Sequence, residues 1–218
     1  MKIVLFTDIH GKTFFIKSLS EEIKSADLIV VCGDITHFGN AVSAKGVLDA
    51  FSRHNGKIIA VAGNCDLPEV ESLFKSDEIR TINGINFVCL GGSLVTPSRT
   101  PNEHYESYYE QKLADFELKL AGSKLPLILV SHQPPFGTIN DKLPSGLNVG
   151  SKAVRRFIEK YQPLACFTGH IHEGRGCDYI GTTKVINPGP FSEGFYASIQ
   201  IIQNPLEARY QIKQAFMQ

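Results

Sequence analysis

Short apolar runs that recur along the chain, each closed by a polar cluster, constrain this sequence more than any other feature. Lys2–Thr7, Leu28–Cys32, Lys57–Ala62, Leu127–Ser131 and Leu164–Thr168 are five such runs. Short and dense in aliphatic residues, they read as strands buried on both faces. Longer segments with helical spacing lie between them. Lys12–Ser25 aligns Phe15, Leu19 and Ile23, while Val42–Arg53, Tyr105–Ala121 and Ser151–Tyr161 predict further helices, the last capped by Ser151. Pro68–Lys75 predicts a short helix with proline in its first turn. Ile79–Ile82 and Ile85–Leu90 flank Asn83-Gly84, a strong hairpin signal. Gly91–Glu103 predicts a long loop, a lid or a plain surface excursion. From about Cys177 to Lys213 the pattern predicts short strands, with turns at Gly181-Thr182 and Asn187-Pro188-Gly189-Pro190. Strands alternating with helices early, then hairpins late, predict an α/β protein, parallel at first and antiparallel towards the C-terminus. No repeat or linker divides the 218 residues, so one domain spanning 1–218 is expected.

Charge and cysteine content remove several classes of function. The formal net charge is zero, so no global basic field draws in nucleic acid or an anionic membrane. No stretch approaches the ~20 apolar residues that span a bilayer, and Asp8 interrupts the N-terminal apolar run before it resembles a signal peptide. A cytoplasmic protein is expected. The cysteines are Cys32, Cys65, Cys89, Cys166 and Cys177; their number is odd and no C-x-x-C pair occurs, which argues against a disulfide framework or a structural zinc site.

The polar clusters carry the chemistry. The five runs end in Asp8-Ile9-His10-Gly11, Gly33-Asp34, Gly63-Asn64-Cys65-Asp66, Ser131-His132 and Gly169-His170-Ile171-His172. Ligands of α/β sheets collect beyond the carboxyl ends of strands, so these clusters are expected to converge. Asp8 with His10, and His170 with His172, stand two residues apart, and in extended chain each pair projects to one side. The glycines at 11, 33, 63 and 169 remove bulk beside these residues and permit unusual backbone angles. Asp8, His10, Asp34, Asn64, His132, His170 and His172 form a mixed oxygen and imidazole set without thiolate. That set suits Mn²⁺, Fe, Zn²⁺ or Ni²⁺ better than magnesium or calcium. It is too large for one ion and fits two if a carboxylate bridges.

In the order and content of these motifs the sequence resembles the calcineurin-like metallophosphoesterases, over residues 3 to about 190. The resemblance implies a four-layer α-β-β-α sandwich with two mixed β-sheets. It implies two divalent ions, manganese first. One is held by Asp8, His10, Asp34 and His172, the other by Asp34, Asn64, His132 and His170, with Asp34 shared. It also implies hydrolysis of a phosphate ester by a hydroxide bridging the metals. Two ions neutralise the phosphoryl charge and acidify water, so no nucleophilic side chain is required. The expected substrate is a small-molecule or nucleotide ester, since no basic strip or aromatic platform for a nucleic-acid strand is evident. Oligomeric state is not readable.

Asn64, Cys65 and Asp66 are the residues assigned to catalysis. Cys65 departs from the family, most of which carries histidine there to contact phosphate or protonate the leaving group. A thiol donates hydrogen bonds poorly. The expectation is a preference for esters with good leaving groups, or a proton from water or Asp66. Some small phosphodiesterases of the family resemble this sequence in having Cys there, which favours diesters. Phosphomonoesterase or nucleotidase action on the same site is the alternative. A non-catalytic scaffold is the alternative of another class, although scaffold relatives have eroded ligand sets and all seven positions stand here. Each residue also has a structural reading. Asp8 and Asp66 would cap the helices near Lys12 and Pro68, Asn64 would serve a turn, and His132 would pack before a proline turn. His37 lies close enough to Asp34 to line a pocket; His54 and His104 read as solvated; Lys152 reads as solvated or anion-binding. Arg99 and Arg175 read as phosphate contacts or surface pairs.

Overall fold

The computed structural model describes residues 1–74 and 79–216. Strand β1 (Lys2–Phe6) leads to a 3₁₀ turn at Phe14–Leu19 that continues into helix α1 (Ser20–Lys24). Strand β2 (Leu28–Cys32), helix α2 (Ala41–Ser52) and strand β3 (Ile58–Val61) follow. A second 3₁₀ turn at Pro68–Leu73 precedes β4 (Arg80–Ile82) and β5 (Ile85–Leu90), then the short β6 (Ser93–Leu94) and β7 (Glu103–His104). Next come α3 (Glu106–Leu120), β8 (Leu127–Ser131), α4 (Lys152–Tyr161) and β9 (Ala165–Phe167). Two hairpins complete the chain, β10 (Gly176–Ile180) with β11 (Thr183–Asn187) and β12 (Phe195–Gln203) with β13 (Leu206–Gln214).

One sheet has the order β13-β12-β1-β2-β3, the other β10-β11-β9-β8-β5-β4. The first is parallel across β1, β2 and β3 and antiparallel where β12 joins β1; the second is parallel from β11 through β9 and β8 to β5, with antiparallel pairs β10–β11 and β4–β5 at its edges. Strand periodicity explains the layering. Val4, Phe6, Ile29 and Val31 point to one face and pack on Ile23, Val47 and Phe51 of the first helices. Ile3, Leu5, Leu28 and Val30 point the other way, onto Phe87, Ile128, Val130 and Phe167 of the second sheet. The outer face of that sheet, with Val88, Leu129 and Cys166, is covered by Tyr109, Phe116, Val154 and Phe157 of α3 and α4. The layers are therefore α-β-β-α. Phe6 packs at 4.8 Å between ring centroids on both Phe51 and Phe191. Burying such a ring contributes about 1.5–3 kcal/mol, and here it anchors the strand end from which Thr7 and Asp8 depart.

Some elements differ from expectation. Lys12–Ser25 is not one helix: its first part is 3₁₀, and Thr13 makes no side-chain cap that would satisfy an α-helical first turn. Pro68–Leu73 is likewise 3₁₀, and Lys75 lies outside the described residues. The Gly91–Glu103 loop is pinned by the β6–β7 pair. The tail contains two nine-residue strands, β12 and β13, rather than only short ones. Ser151 caps α4 as expected, accepting from the Val154 amide. All five cysteines are free thiols.

Candidate metal centre

The loops that follow β1, β2, β3, β8 and β9 meet at one edge of the sandwich. Backbone bonds stitch them together: the Asp8 and His10 amides donate to the carbonyls of Gly33 and Asp34, and the Gly169 amide donates to that of His132. Space is as important as bonding. A Cβ at Gly33 would strike the His132 ring, one at Gly63 the Asp34 carboxylate, and one at Gly169 the Thr7 hydroxyl. Nothing lies near a Cβ at Gly11, so that glycine serves only its positive φ of 75°.

All seven nominated ligands come together. His132 Nε2 lies 3.5 Å from Asp34 Oδ1 and His10 Nε2 lies 3.7 Å from Asp34 Oδ2, which puts Asp34 between two groups. His172 Nε2 is 3.5 Å from Asp8 Oδ1. Asn64 Oδ1 is 3.0 Å from His132 Nε2 and 2.7 Å from His170 Nδ1. Donor atoms of Asp8, His10 and His172, and of Asp8, Asp34 and His132, lie within 4.8 Å of one another. The paired residues do not converge through extended chain, as the i, i+2 spacing predicted. Asp8, His10, Asp34 and His170 instead adopt left-handed backbone, with φ of 53°, 49°, 48° and 68°. Such residues are held there against local preference by the surrounding structure.

The donor chemistry fits cations. The Cys32 carbonyl, 2.8 Å from His132 Nδ1, only accepts, so that nitrogen carries a proton and Nε2 is the ring atom turned towards Asn64 and Asp34. The Glu103 carboxylate only accepts, so Thr100 Oγ1 donates to it at 2.6 Å and in turn accepts from Asn64 Nδ2 at 2.9 Å. This fixes the amide, with Asn64 Oδ1 facing the histidines. Asn64 Oδ1, His132 Nε2 and the Asp34 carboxylate thus converge on one another. His10 Nδ1 is buried with no hydrogen-bond partner. Burial lowers His170 to about 3 and His10 to about 4, so both rings are neutral and ready to ligate. Burial raises Asp34 to about 6, against the attraction of His132 and with the repulsion of Asp8. Burial also opposes ionisation of Asp8, yet its contact with His172 and the neighbouring histidines hold it below the usual carboxylate range.

Asp66 sits apart from this chemistry. Its carboxylate accepts from the amides of Ile35, Thr36 and Gly63 and from the Thr36 hydroxyl, at 2.7–3.1 Å. It neither lines the cleft nor caps the turn at Pro68, whose N-cap is Leu67. It staples the loop after β2 to the loop after β3, the two that carry Asp34 and Asn64. Cys65 does line the cleft, and burial pushes its thiol well above the ordinary range. Its amide donates to Asp34 Oδ1 at 2.8 Å. His37 is exposed, and its ring has a nitrogen within 4.8 Å of both a His10 nitrogen and the Cys65 sulfur.

Other expectations resolve simply. Asp8 caps no helix, and its Oδ2 accepts from Thr7 Oγ1 at 2.9 Å. Arg175 lies 3.8 Å over the Phe195 ring, and Arg99 does not line the cleft. His104, read as solvated, stacks on Tyr108 at 3.8 Å between centroids. Sequence reasoning missed Thr100 and Glu103, which hold the Asn64 amide, and Gln133. Gln133 accepts from the Leu94 amide at 2.8 Å and donates to the Val149 carbonyl at 3.0 Å. Their only sequence signal is position, inside or beside loops that follow strands.

A sandwich of two mixed sheets with an oxygen and imidazole cage at its edge defines a metal-dependent phosphoesterase. Residues 1–200 match the calcineurin-like phosphoesterase superfamily domain, and the chain belongs to that superfamily. It is a phosphoric ester hydrolase by family. An uncharacterized protein of Methanocaldococcus jannaschii, MJ1162, is 41% identical over 207 residues, covering 90% of this chain and 91% of that protein. Among solved structures, TT1561 of Thermus thermophilus superimposes with a TM-score of 0.74 at 19% identity, covering 98% of each chain. The purple acid phosphatase PPD1 of yellow lupin gives 0.58 at 10% identity, covering 98% of this chain and 51% of its own. At these identities the structural likenesses speak for the fold alone. No helix among the described residues is long and apolar enough to cross a membrane.

Proposed function

We propose that this chain is a cytoplasmic, single-domain phosphodiesterase that holds two divalent ions, manganese first among Mn, Fe, Zn and Ni. Asp8, His10, Asp34 and His172 hold one ion, and Asp34, Asn64, His132 and His170 the other. The observation that carries this reading is that His132 Nε2 stands 3.0 Å from Asn64 Oδ1 and 3.5 Å from Asp34 Oδ1, a buried oxygen and imidazole set of the kind that holds a cation. When bound, the ions supply charge neutralisation and an acidified water. The chain supplies orientation. The Cys32 carbonyl sets the His132 tautomer, Thr100 and Glu103 aim Asn64, and Asp66 holds the loops of Asp34 and Asn64 in register. Cys65 borders the substrate as a neutral thiol, a weak proton donor. The leaving group therefore departs with little help from the protein, which favours diesters with good leaving groups.

The test has two parts. Metal-stripped protein titrated with Mn²⁺ should take up two equivalents, and the reconstituted enzyme should hydrolyse bis(4-nitrophenyl) phosphate faster than 4-nitrophenyl phosphate. Faster cleavage of the monoester would make it a monoesterase or nucleotidase. Failure to hold a stoichiometric pair of ions would make it a scaffold.

A further inference from the structure

The cleft above the metal centre has a volume of about 400 Å³, the size of a small-ligand site. Its apolar lining is Leu94, Val95, Pro97, Leu143, Val149 and Ile171. Among the described residues no lysine or arginine lines it, and no phenylalanine, tyrosine or tryptophan. The polar side chains there are largely committed. Thr96 and Thr100 donate to Glu103 at 2.6 Å each. Gln133 spans the cleft from Leu94 to Val149. Among the described lining residues beyond the proposed ligands, Cys65 and Ser98 are the polar side chains outside these bonds.

We infer that the substrate bears one phosphoryl group on the metals and an uncharged apolar alkyl or aryl group in this cleft. This deepens the phosphodiesterase reading and rests on it. A second phosphate would meet no cation and would leave its water without replacement. A nucleobase would find no phenylalanine, tyrosine or tryptophan face among the described lining residues, and its edges would meet aliphatic carbons. An alkyl or aryl group loses nothing polar and buries apolar surface against six side chains. Gln133 and Glu103 shape the wall and are positioning residues.

Alkylphosphonates test this by binding alone, without a leaving group to confuse the result. Calorimetric titration of the Mn²⁺-loaded protein is run with methyl-, propyl-, hexyl- and phenylphosphonate, and with 3-phosphonopropionate as the charged counterpart of the propyl compound. The dissociation constant should fall about two- to fourfold per added methylene until the cleft is full. 3-Phosphonopropionate should bind at least tenfold more weakly than propylphosphonate. The Leu143→Asn and Val95→Asn variants should each flatten the series. A flat series with methylphosphonate still bound would overturn this inference and leave the phosphodiesterase reading intact. Tighter binding of 3-phosphonopropionate would do the same. If the loaded protein binds no phosphonate at all, both fall.

Discussion

The two sheets bring different chemistry to their shared edge. The sheet of β1, β2 and β3 supplies the oxygens of Asp8, Asp34 and Asn64, with His10 as its single imidazole. The sheet of β8 and β9 supplies only imidazoles, His132, His170 and His172. Their physical states differ as well. The first side is crowded with buried acid: Asp34 is driven up to about 6, mainly by burial and partly by the charges of Asp8 and Asp66. On the second side burial keeps His170 neutral. Neither side alone makes a cage. The oxygen side gathers buried carboxylates, while on the imidazole side His170 is kept neutral by burial and the contact with Asp8 favours the charged form of His172. Cations bound between them would relieve the first and satisfy the second, so metal occupancy and the packing of the sandwich should depend on each other.

The largest blow to that arrangement is Asp34→Asn. Asp34 has one oxygen towards His10 and the other towards His132. Removing its charge should weaken both ions and lower kcat/KM by about three orders of magnitude or more, a loss of roughly 4 kcal/mol of transition-state stabilisation. Steady-state kinetics on bis(4-nitrophenyl) phosphate check it. A variant within tenfold of the wild type would show that the carboxylate is not shared.

Stripping the metals should come next in size. An ion present at a hundred times its dissociation constant stabilises the folded chain by about 2.7 kcal/mol. For a chain of this length that is roughly 5–10 °C in Tm per site. Thermal unfolding with and without a chelator measures it. If the ions do tie the sheets together, the chelated protein melts earlier by that amount; an unchanged Tm would separate metal binding from sheet packing.

Thr100→Val sharpens the comparison inside the oxygen side. It removes the acceptor that holds the Asn64 amide while keeping the side-chain volume. Loss of such an outer partner typically lowers metal affinity 10- to 100-fold. Only the ion on Asn64 should weaken, so a Mn²⁺ titration should resolve one site near its original affinity and one displaced. Thr100→Ser should bind like the wild type.

Much of this arrangement can be read from the residues, and the rest fails for identifiable reasons. The strands are evident because both faces of each sheet are covered, which leaves continuous Val, Ile and Leu runs such as Ile3–Phe6 and Leu28–Cys32. The ligands are evident because each strand end changes abruptly from apolar to Asp, Asn or His. The left-handed backbone at Asp8, His10, Asp34 and His170 has no local sign, since these residue types occupy either region according to tertiary context. The hold of Thr100 on Asn64 spans 36 positions, beyond any periodicity. The 3₁₀ start of the segment at Phe14 reflects a missing cap at Thr13, whereas the helical spacing of Phe15, Leu19 and Ile23 is real and still faces the core.

The smallest predicted effect concerns the place where the two sides face the substrate. Cys65 stands on the oxygen side and lines the cleft, and burial keeps its thiol protonated at neutral pH. A protonated thiol gives up its hydrogen too reluctantly to assist an alkoxide, whereas a nitrophenolate leaves without assistance. General-acid assistance is worth 10²–10⁴-fold when well aligned. A histidine introduced by Cys65→His, not yet supported by its own hydrogen bonds, should recover a small part of that, roughly tenfold on an alkyl ester. It should leave bis(4-nitrophenyl) phosphate nearly unchanged. The ratio of the two rates is the informative quantity, because general damage to the site lowers both together. A ratio that does not move would mean that proton delivery does not limit this enzyme.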